Sequence, residues 1–141
     1  MKSPLWIPSD ERKEQANITR FIREVNARRG LNLGSYSELY HWSVDNITDF
    51  WEVVWDFAEI RSSSRYEKIV EDLSAFPGTK WFPGAKLNFA ENLLRYRDDQ
   101  LAFIFKGETQ ISKQMTYAEL YDSVARLAHS LKESGIGVGD R

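Results

Sequence analysis

The chain has 141 residues, with 19 basic and 21 acidic side chains and a formal net charge of −2. A chain of this length buries roughly 68% of the surface that its unfolded form exposes, which is enough for one ordinary domain. The balanced charge offers no basic surface to a polyanion and argues against nucleic acid as a partner. The absence of cysteine excludes disulfides, thiolate zinc sites and a cysteine nucleophile.

The first residues do not have the pattern of a targeting segment. Residues 1–8, MKSPLWIP, contain two prolines and no apolar run long enough for a signal peptide. No later stretch approaches the ~20 apolar residues of a membrane span. The sequence therefore predicts a cytoplasmic protein without a membrane partner.

Helical patterns dominate the first part of the chain. Ser9 is a candidate N-cap for an amphipathic helix that ends at Gly30. Ser35 and Glu38 have the spacing of a capping box for a second helix, which is predicted to end near Trp42.

A third helix, capped by Asp45 or Asn46, has more apolar residues than one face can hold. Its predicted apolar face consists of Ile47, Phe50, Trp51, Val54 and Ala58. Further apolar bulk comes from Val53, Trp55 and Phe57. Such a helix must be covered on most sides, so we predict that it is the core helix and that part of its surface meets a partner or the rest of a larger protein.

Residues 61–84 are predicted to consist of a linker, a short element and two turns. Arg61–Arg65 is the candidate linker, and Tyr66–Leu73 is predicted as a helix, with a strand as the alternative. Two aromatic-Pro-Gly sequences, at residues 76–78 and 82–84, predict turns in tandem. Because turns make few backbone hydrogen bonds, their aromatic side chains need tertiary anchors, and we expect Trp81 to be buried.

Residues 81–94, WFPGAKLNFAENLL, are predicted to start extended and end helical. Pro83 disfavours helical geometry at Phe82, and Asn88 with Glu91 predicts a capped helix that runs to about residue 97.

A hairpin and a long helix are predicted after residue 98. Leu101–Phe105 and Ile111–Met115 are the candidate strands, joined by a turn at residues 107–109. Thr116 and Glu119 have the spacing of a capping box. The helix that follows has an apolar stripe of Leu120, Val124, Leu127 and Leu131. The predicted fold class is therefore α+β, a mainly helical amino-terminal segment followed by a β-hairpin and a long helix.

Several long stretches carry a family resemblance. Residues 81–94 are similar to the junction segment near the front of adenylate-forming acyl-CoA synthetases, in particular of the acetoacetate–CoA ligase family. The similarity extends upstream through residues 4–31, 36–57 and 76–89 and downstream through MTYAELYDSVARLAHSLKESGIGVGDR, residues 115–141. It covers nearly the whole chain.

This resemblance implies that the full-length parent enzyme couples acetoacetate to CoA. ATP, with Mg²⁺, first converts the carboxylate to an acyl-adenylate, and the CoA thiol then displaces AMP. Residues 1–97 would be the amino-terminal segment of the enzyme and residues 98–141 the truncated start of its adenylation domain. The family's phosphate loop, adenine-binding residues, Mg²⁺ glutamate and hinge lysine would all follow Arg141.

The chain itself is therefore predicted to carry no catalytic residue and no metal ligand, and its cofactor-binding residues are unknown. His41 has no second ligand at metal spacing, which favours a packed histidine, and Ser43 is interpreted as a turn residue. The glycines of residues 135–139 follow a helix, where its carbonyl end disfavours phosphate. Four arginines alternate with glutamates, which favours a solvated face over a contact with a CoA phosphate. They are Arg20, Arg23, Arg28 and Arg29.

Two other functions remain open at the level of sequence. One is a different short-chain acyl-CoA synthetase, for acetate or propionate. The other is a free-standing helical module whose exposed aromatic side chains bind a protein. In the ligase interpretation, the partner of this chain is the remainder of the adenylation domain, and ATP, CoA and Mg²⁺ are expected only with the full-length enzyme.

Overall fold

A computed structural model describes residues 5–108 and 112–140. Among these residues the helices are α1 (Asp10–Glu14), α2 (Asn17–Arg29), α3 (Tyr36–Asp45), α4 (Ile47–Phe57), α5 (Phe89–Leu93) and α6 (Tyr117–Glu133). The strands are β1 (Ser62–Ser64), β2 (Lys86–Leu87), β3 (Leu101–Lys106) and β4 (Ser112–Thr116). The chain divides into two compact units, Met1–Leu87 (unit 1) and Asn88–Arg141 (unit 2). The predicted α+β class is confirmed.

The first predicted helix is in fact two helices. The Ser9 hydroxyl accepts the Arg12 N–H at 3.3 Å and caps α1 as predicted. Ala16 is extended, with φ −65° and ψ 140°, and separates α1 from α2. The prediction of one continuous helix was wrong because the residues before Asn17 provide no large apolar side chain that could hold the intervening turn against the core. Gly30 ends α2 in the left-handed region, at φ 65°, as expected.

The core of unit 1 lies where α2, α3 and α4 meet. The buried residues there are Phe21 and Val25 of α2, Leu39 of α3 and Val53 of α4. The rings of Phe50 and Phe57 meet the Phe21 ring edge-on, with centroids 5.8 and 5.0 Å away. Each buried side chain of this size contributes about 1.5–3 kcal/mol of transfer free energy.

Helix α4 is the core helix, but its most buried residues are not on the predicted face. Val53 is fully buried among the helices, and Trp55 is 6% exposed. Trp55 packs instead against the rings of Tyr66 and Phe82. Asn46 lies at the start of α4 without capping it, because its side-chain amide donates to the Trp42 carbonyl at 3.0 Å and so closes α3.

The segment from Arg61 to Leu73 does not fold as predicted. Its three serines form β1, which pairs antiparallel with β2, so that Ser62 lies opposite Leu87. Residues 66–73 contain no helix. Backbone hydrogen bonds to residues 80–83 replace the local helical bonds, an example of tertiary pairing that overrides a weak local preference.

Unit 2 begins with the capped helix α5. The Asn88 side-chain oxygen accepts the Glu91 N–H at 3.1 Å, as predicted. The helix ends at Leu93 rather than near residue 97. Beyond it, Tyr96 meets Tyr117 edge-on at 5.9 Å, and the Arg97 guanidinium lies 3.8 Å from the centre of the Tyr121 ring. These contacts stabilise the non-helical conformation of the residues that follow α5.

The predicted hairpin and long helix are present in unit 2. Strands β3 and β4 are antiparallel, with Lys106 opposite Ser112 and a bulge between Leu101 and Phe103. Residues 109 and 111 of the predicted turn and strand lie outside the described residues. At the start of α6, Thr116 Oγ1 accepts the Glu119 N–H at 3.2 Å and the Glu119 carboxylate accepts the Thr116 N–H at 2.9 Å. This capping box was predicted.

Unit 2 differs from unit 1 in having no core of its own within the described residues. None of residues 88–108 and 112–140 is buried. The apolar stripe of α6 is present, yet Leu127 and Leu131 remain exposed. No helix of the described chain is long and apolar enough to cross a bilayer.

Candidate docking site in unit 1

Residues 66–84 form an irregular two-stranded ribbon that presents the tandem turns. The Glu67 N–H donates to the Pro83 carbonyl at 2.9 Å, the Phe82 N–H to Ile69 at 2.7 Å and the Glu71 N–H to Lys80 at 2.9 Å. Val70 and Trp81 form a bridge between the two sides. The Phe76–Pro77 peptide bond, in the first turn, is cis. We call residues 66–84 the ribbon.

The ribbon is held to α4 by three rings, which we call the aromatic anchor: Trp55, Tyr66 and Phe82. The Trp55 centroid lies 5.0 Å from that of Tyr66 and 4.8 Å from that of Phe82, and Tyr66 and Phe82 are 5.4 Å apart. Ring pairs at these distances contribute about 0.5–1.5 kcal/mol beyond the burial of their area. The ribbon therefore has the tertiary anchor that the sequence required.

The second turn of the ribbon is shaped by two positive φ angles. Phe82 has φ 49°, a left-handed conformation rather than the extended one expected before Pro83. Its ring contacts in the aromatic anchor offset part of the cost of that conformation. Gly84 has φ 85°, and a Cβ there would lie 3.0 Å from Glu67 Cγ. Glycine is thus favoured at this position both by backbone conformation and by space.

Trp81 is not the buried residue that the sequence led us to expect. It is 43% exposed and meets Trp51 of α4 edge-on at 5.9 Å. Together with Ile47, Leu73 and Phe76 it lines an open recess of about 440 Å³. Phe76 is almost fully exposed at the tip of the ribbon. Phe82 anchors the ribbon, whereas Trp81 and Phe76 form an apolar surface that is free to contact another segment.

An ion-pair network joins the ribbon to the helices next to the aromatic anchor. Asp56 of α4 accepts from Arg28 of α2 at 2.6 Å and from Arg65 at 2.9 Å, and Arg65 also donates to the Tyr66 hydroxyl at 3.0 Å. Burial alone would raise the pKa of Asp56, but hydrogen bonds from Arg28 and Arg65 outweigh it and lower that pKa below its usual range. The sequence did not identify Asp56, because its partner Arg65 was predicted to lie in a linker.

The four arginines of α2 are engaged with other side chains. Arg23 pairs with Glu14, Arg28 with Glu24 and Asp56, and Arg29 with Glu52 and Asp49. The Arg20 guanidinium lies over the Phe57 ring at 5.8 Å. Three of the four arginines are therefore ion-paired, and much of the positive charge of this helix is compensated.

A second apolar surface lies directly over the core of unit 1. It is a cleft of about 290 Å³ where α2, α3 and α4 meet, with Phe21 and Leu39 in its floor and Tyr36 and Tyr40 among its lining residues. Both tyrosines are more than half exposed. The cleft and the ribbon tip give unit 1 two apolar surfaces suited to packing against protein.

Structural positions account for the other residues that the sequence raised as candidates, which are His41, Ser43 and the glycines after α6. His41 is exposed and meets the Tyr40 ring edge-on at 5.6 Å, and the Ser43 hydroxyl donates to the Tyr40 carbonyl at 2.8 Å. Gly135 and Gly139, with φ 82° and 100°, follow the carbonyl end of α6. Within residues 5–108 and 112–140, no three histidine or carboxylate side chains are grouped so that they could hold a metal ion.

Comparisons with known proteins agree with one another. Residues 36–93, which include the ribbon and the aromatic anchor, match the family described as "Acetyl-coenzyme A synthetase N-terminus". The chain is 40% identical to acetoacetyl-CoA synthetase of Danio rerio, over 97% of this chain and 20% of that protein. It is 38% identical to acetoacetyl-coenzyme A synthetase of Rhizobium meliloti, over 98% of this chain and 21% of that protein.

The fold matches a solved structure as well. Acetoacetyl-CoA synthetase from Streptomyces lividans superimposes with a TM-score of 0.83 and 40% identity, over 99% of this chain and 22% of that one. The chain thus spans about a fifth of the length of the curated relatives that it matches. By sequence and by fold, the chain is similar to the amino-terminal part of acetoacetyl-CoA synthetases.

Proposed function

We propose that this chain is the amino-terminal part of an ATP-dependent acetoacetate–CoA ligase. The observation that carries the proposal is the agreement of sequence and fold with acetoacetyl-CoA synthetases along nearly the whole chain. In this proposal residues 1–97 are the amino-terminal segment of the ligase and residues 98–141 begin its adenylation domain. The enzyme would act in the cytoplasm.

The reaction of the full-length enzyme would proceed in two steps. A carboxylate oxygen of acetoacetate attacks the α-phosphorus of ATP, which forms acetoacetyl-adenylate and releases pyrophosphate. The thiolate of CoA then attacks the acyl carbon, and AMP departs with the electron pair of the broken acyl–oxygen bond. Activation is needed because AMP is a far better leaving group than the oxygen of a free carboxylate, and charge stabilisation around the phosphates lowers the barrier.

This chain supplies no part of that chemistry in our proposal. Mg²⁺, which accompanies ATP in such reactions, prefers several oxygen ligands, and the described residues do not bring such a set together. We therefore assign no metal ligand and no catalytic residue to the chain and derive no step through the ion. Residues that contact ATP or CoA stay unassigned.

The role that the geometry supports is docking. The ribbon presents Trp81 and Phe76, and the cleft presents Tyr36 and Tyr40, on a unit with its own core. Unit 2 has exposed apolar residues on its hairpin and on α6. We propose that the partner that covers them in the ligase is the remainder of the adenylation domain.

The test is an assay of the full-length polypeptide that contains this segment. Pyrophosphate release is measured with ATP, CoA and either acetoacetate, acetate or propionate. We expect acetoacetate to give the highest kcat/KM, and release without CoA to stop after about one equivalent per enzyme because the adenylate stays bound. No acetoacetate-dependent release would overturn the proposal.

A second candidate is an acetyl-CoA synthetase, which the description of the matched family favours. The same assay distinguishes the two, because an acetyl-CoA synthetase gives its highest kcat/KM with acetate. In that enzyme too, the ribbon and the cleft of unit 1 would dock onto the rest of the protein.

A separate prediction concerns the 141-residue chain alone. It should show no binding of ATP with Mg²⁺ in isothermal titration, because the sequence contains neither a G-x-x-x-x-G-K-[ST] phosphate loop nor a G-x-G-x-x-G sequence. Micromolar binding would contradict our assignment of all nucleotide contacts to the rest of the enzyme.

A further inference from the structure

The recess between the ribbon tip and α4 is lined by apolar side chains that the core of unit 1 does not use. Phe76 is 97% exposed and Leu73 is 54% exposed, and neither belongs to the buried cluster of α2, α3 and α4. Trp81 and Trp51 remain partly in water, although their rings meet edge-on at 5.9 Å. Single exposed apolar residues are ordinary at a protein surface, whereas a contiguous group of them marks a site of interaction.

The lining of the recess favours an apolar occupant. No side chain among the described residues that line it carries a charge. The Thr79 hydroxyl, which also lines it, is already within hydrogen-bond distance of the Asp72 carbonyl, at 2.8 Å, and of the Ala75 carbonyl. A nucleotide or another anion would therefore lose its hydration in the recess without gaining partners. An apolar side chain of a protein, by contrast, gains free energy when it leaves water.

Polar groups adjoin the recess. Lys80 Nζ lies 3.3 Å from the Glu71 carboxylate. The Asp72 carboxylate accepts the N–H and the hydroxyl of Ser74 at 2.8 and 2.7 Å. An apolar centre with a polar rim is the usual anatomy of a contact between protein surfaces.

The recess is formed before any partner binds. The ribbon, which provides one wall, is held by its own backbone hydrogen bonds, by the aromatic anchor and by the pairing of Arg65 with Asp56. The other wall includes Ile47 of the core helix α4. Binding therefore loses little conformational entropy in ordering this surface. Tryptophan is enriched among the few residues that carry most of the free energy of an interface, and Trp81 lies at the centre of this one.

We infer that this recess is the main energetic contact between unit 1 and the rest of the ligase, and that apolar side chains from the polypeptide beyond residue 141 fill it. The inference rests on the proposed function, in which this chain corresponds to 20% of the Danio rerio protein and 22% of the Streptomyces lividans protein. Because both parts then belong to one polypeptide, their contact is intramolecular and a small patch is enough to hold them together. Trp81 becomes a buried residue in the full-length enzyme, whereas Phe82 keeps its place in the aromatic anchor.

Hydroxyl-radical footprinting, read by mass spectrometry, compares the 141-residue chain with the full-length polypeptide that contains it. Trypsin releases residues 69–80 and residues 81–86 as separate peptides, so Phe76 and Trp81 are read independently. We expect both side chains to be oxidised about fivefold less in the full-length polypeptide, because the centre of an interface excludes water. Phe82 is the internal control and should be oxidised equally in the two proteins.

Two results of the footprinting would overturn the inference. One is equal oxidation of Phe76 and Trp81 in the short chain and in the full-length polypeptide. The other is protection that disappears when the full-length polypeptide is diluted until it is monomeric, since a second copy would then be the cover.

A pair of variants tests whether Trp81 is the main contact. Trp81→Ala in the full-length polypeptide should increase the oxidation of Phe76 about threefold or more, because it opens the filled recess. Glu71→Gln is the matched control, since it removes only the rim ion pair with Lys80, and it should leave Phe76 protected. Equal protection of Phe76 in the two variants would show that Trp81 is not the main contact.

Neither measurement depends on catalysis. Unprotected Phe76 and Trp81 in a polypeptide that turns over acetoacetate would refute the role of the recess alone. Protection of both in a polypeptide without acetoacetate-dependent turnover would refute the proposed ligase activity alone.

Discussion

At the scale of single residues, Phe82 has the anchoring role that the sequence predicted for Trp81. Both are large aromatic residues at the same turn, and only the direction of each side chain separates them. Phe82 points into the aromatic anchor, whereas Trp81 lies on the exposed side against Trp51. The left-handed backbone at Phe82 is part of this arrangement.

We predict that Phe82→Ala destabilises the chain by about 2–4 kcal/mol, because it removes a ring from the aromatic anchor. Trp81→Ala should cost about 1 kcal/mol, since much of its side chain is already in water. Urea denaturation followed by circular dichroism measures both changes. A larger loss for Trp81→Ala than for Phe82→Ala would show that we have identified the wrong anchor.

Asp56 is the second residue whose importance only the structure shows. We predict that Asp56→Asn lowers stability at neutral pH by about 1–3 kcal/mol, because it leaves Arg28 and Arg65 without their shared carboxylate. The folded-state pKa of Asp56 is lowered, so the ionised group stabilises the fold above the unfolded-state pKa of about 3.9. That contribution is lost as the pH falls through the lower folded-state pKa.

The measurement for Asp56 is urea denaturation between acidic and neutral pH. The difference between wild type and Asp56→Asn should shrink once the pH falls below about 4. Asp10→Asn serves as the control, because Asp10 pairs with Lys13 on the exposed helix α1. An equal loss for both variants at every pH would argue against a special role for Asp56.

At the scale of elements, four of the five predicted N-caps form, whereas the lengths of the elements were not predictable. Ser9, Ser35, Asn88 and Thr116 all accept the backbone N–H expected of an N-cap. A cap is a contact between residues three apart, so its signal is local. The ends of α5 and the break before α2 depend instead on what the neighbouring segments contact.

We predict that Thr116→Ala destabilises α6 by about 1 kcal/mol through loss of the cap, while Thr116→Ser has little effect because it keeps the hydroxyl. Hydrogen exchange of the first-turn amides of α6 reports the change locally. Equal exchange in both variants would show that the threonine methyl group matters more than the capping bond.

At the scale of the whole molecule, the two units differ in what can hold them folded. Unit 1 has a buried cluster from three helices and a ribbon tied to them by rings and ion pairs. Among its described residues, unit 2 buries none. Its partly buried residues supply only a small amount of apolar burial, which is the main favourable term of folding.

We predict that residues 1–87 alone unfold cooperatively in urea and that residues 88–141 alone do not. Far-ultraviolet circular dichroism of the two pieces, each followed through a urea titration, measures this. A cooperative transition in the second piece at low micromolar concentration, without self-association, would mean that α6 and the hairpin are stable without a partner.

The sequence by itself determined the features that depend on nearby residues: the α+β class, the caps, the hairpin, the apolar stripe of α6 and the family resemblance. Each is a periodicity or a spacing within one segment, and such a pattern can be recognised without knowing which other segment packs against it. Only the tertiary structure decided that Ser62–Ser64 is a strand, that residues 66–73 pair with residues 80–83, and that Phe82 rather than Trp81 is the anchor. Those outcomes are fixed by contacts between residues far apart in the chain, where a short polar or ambiguous segment takes whatever conformation its partner stabilises most.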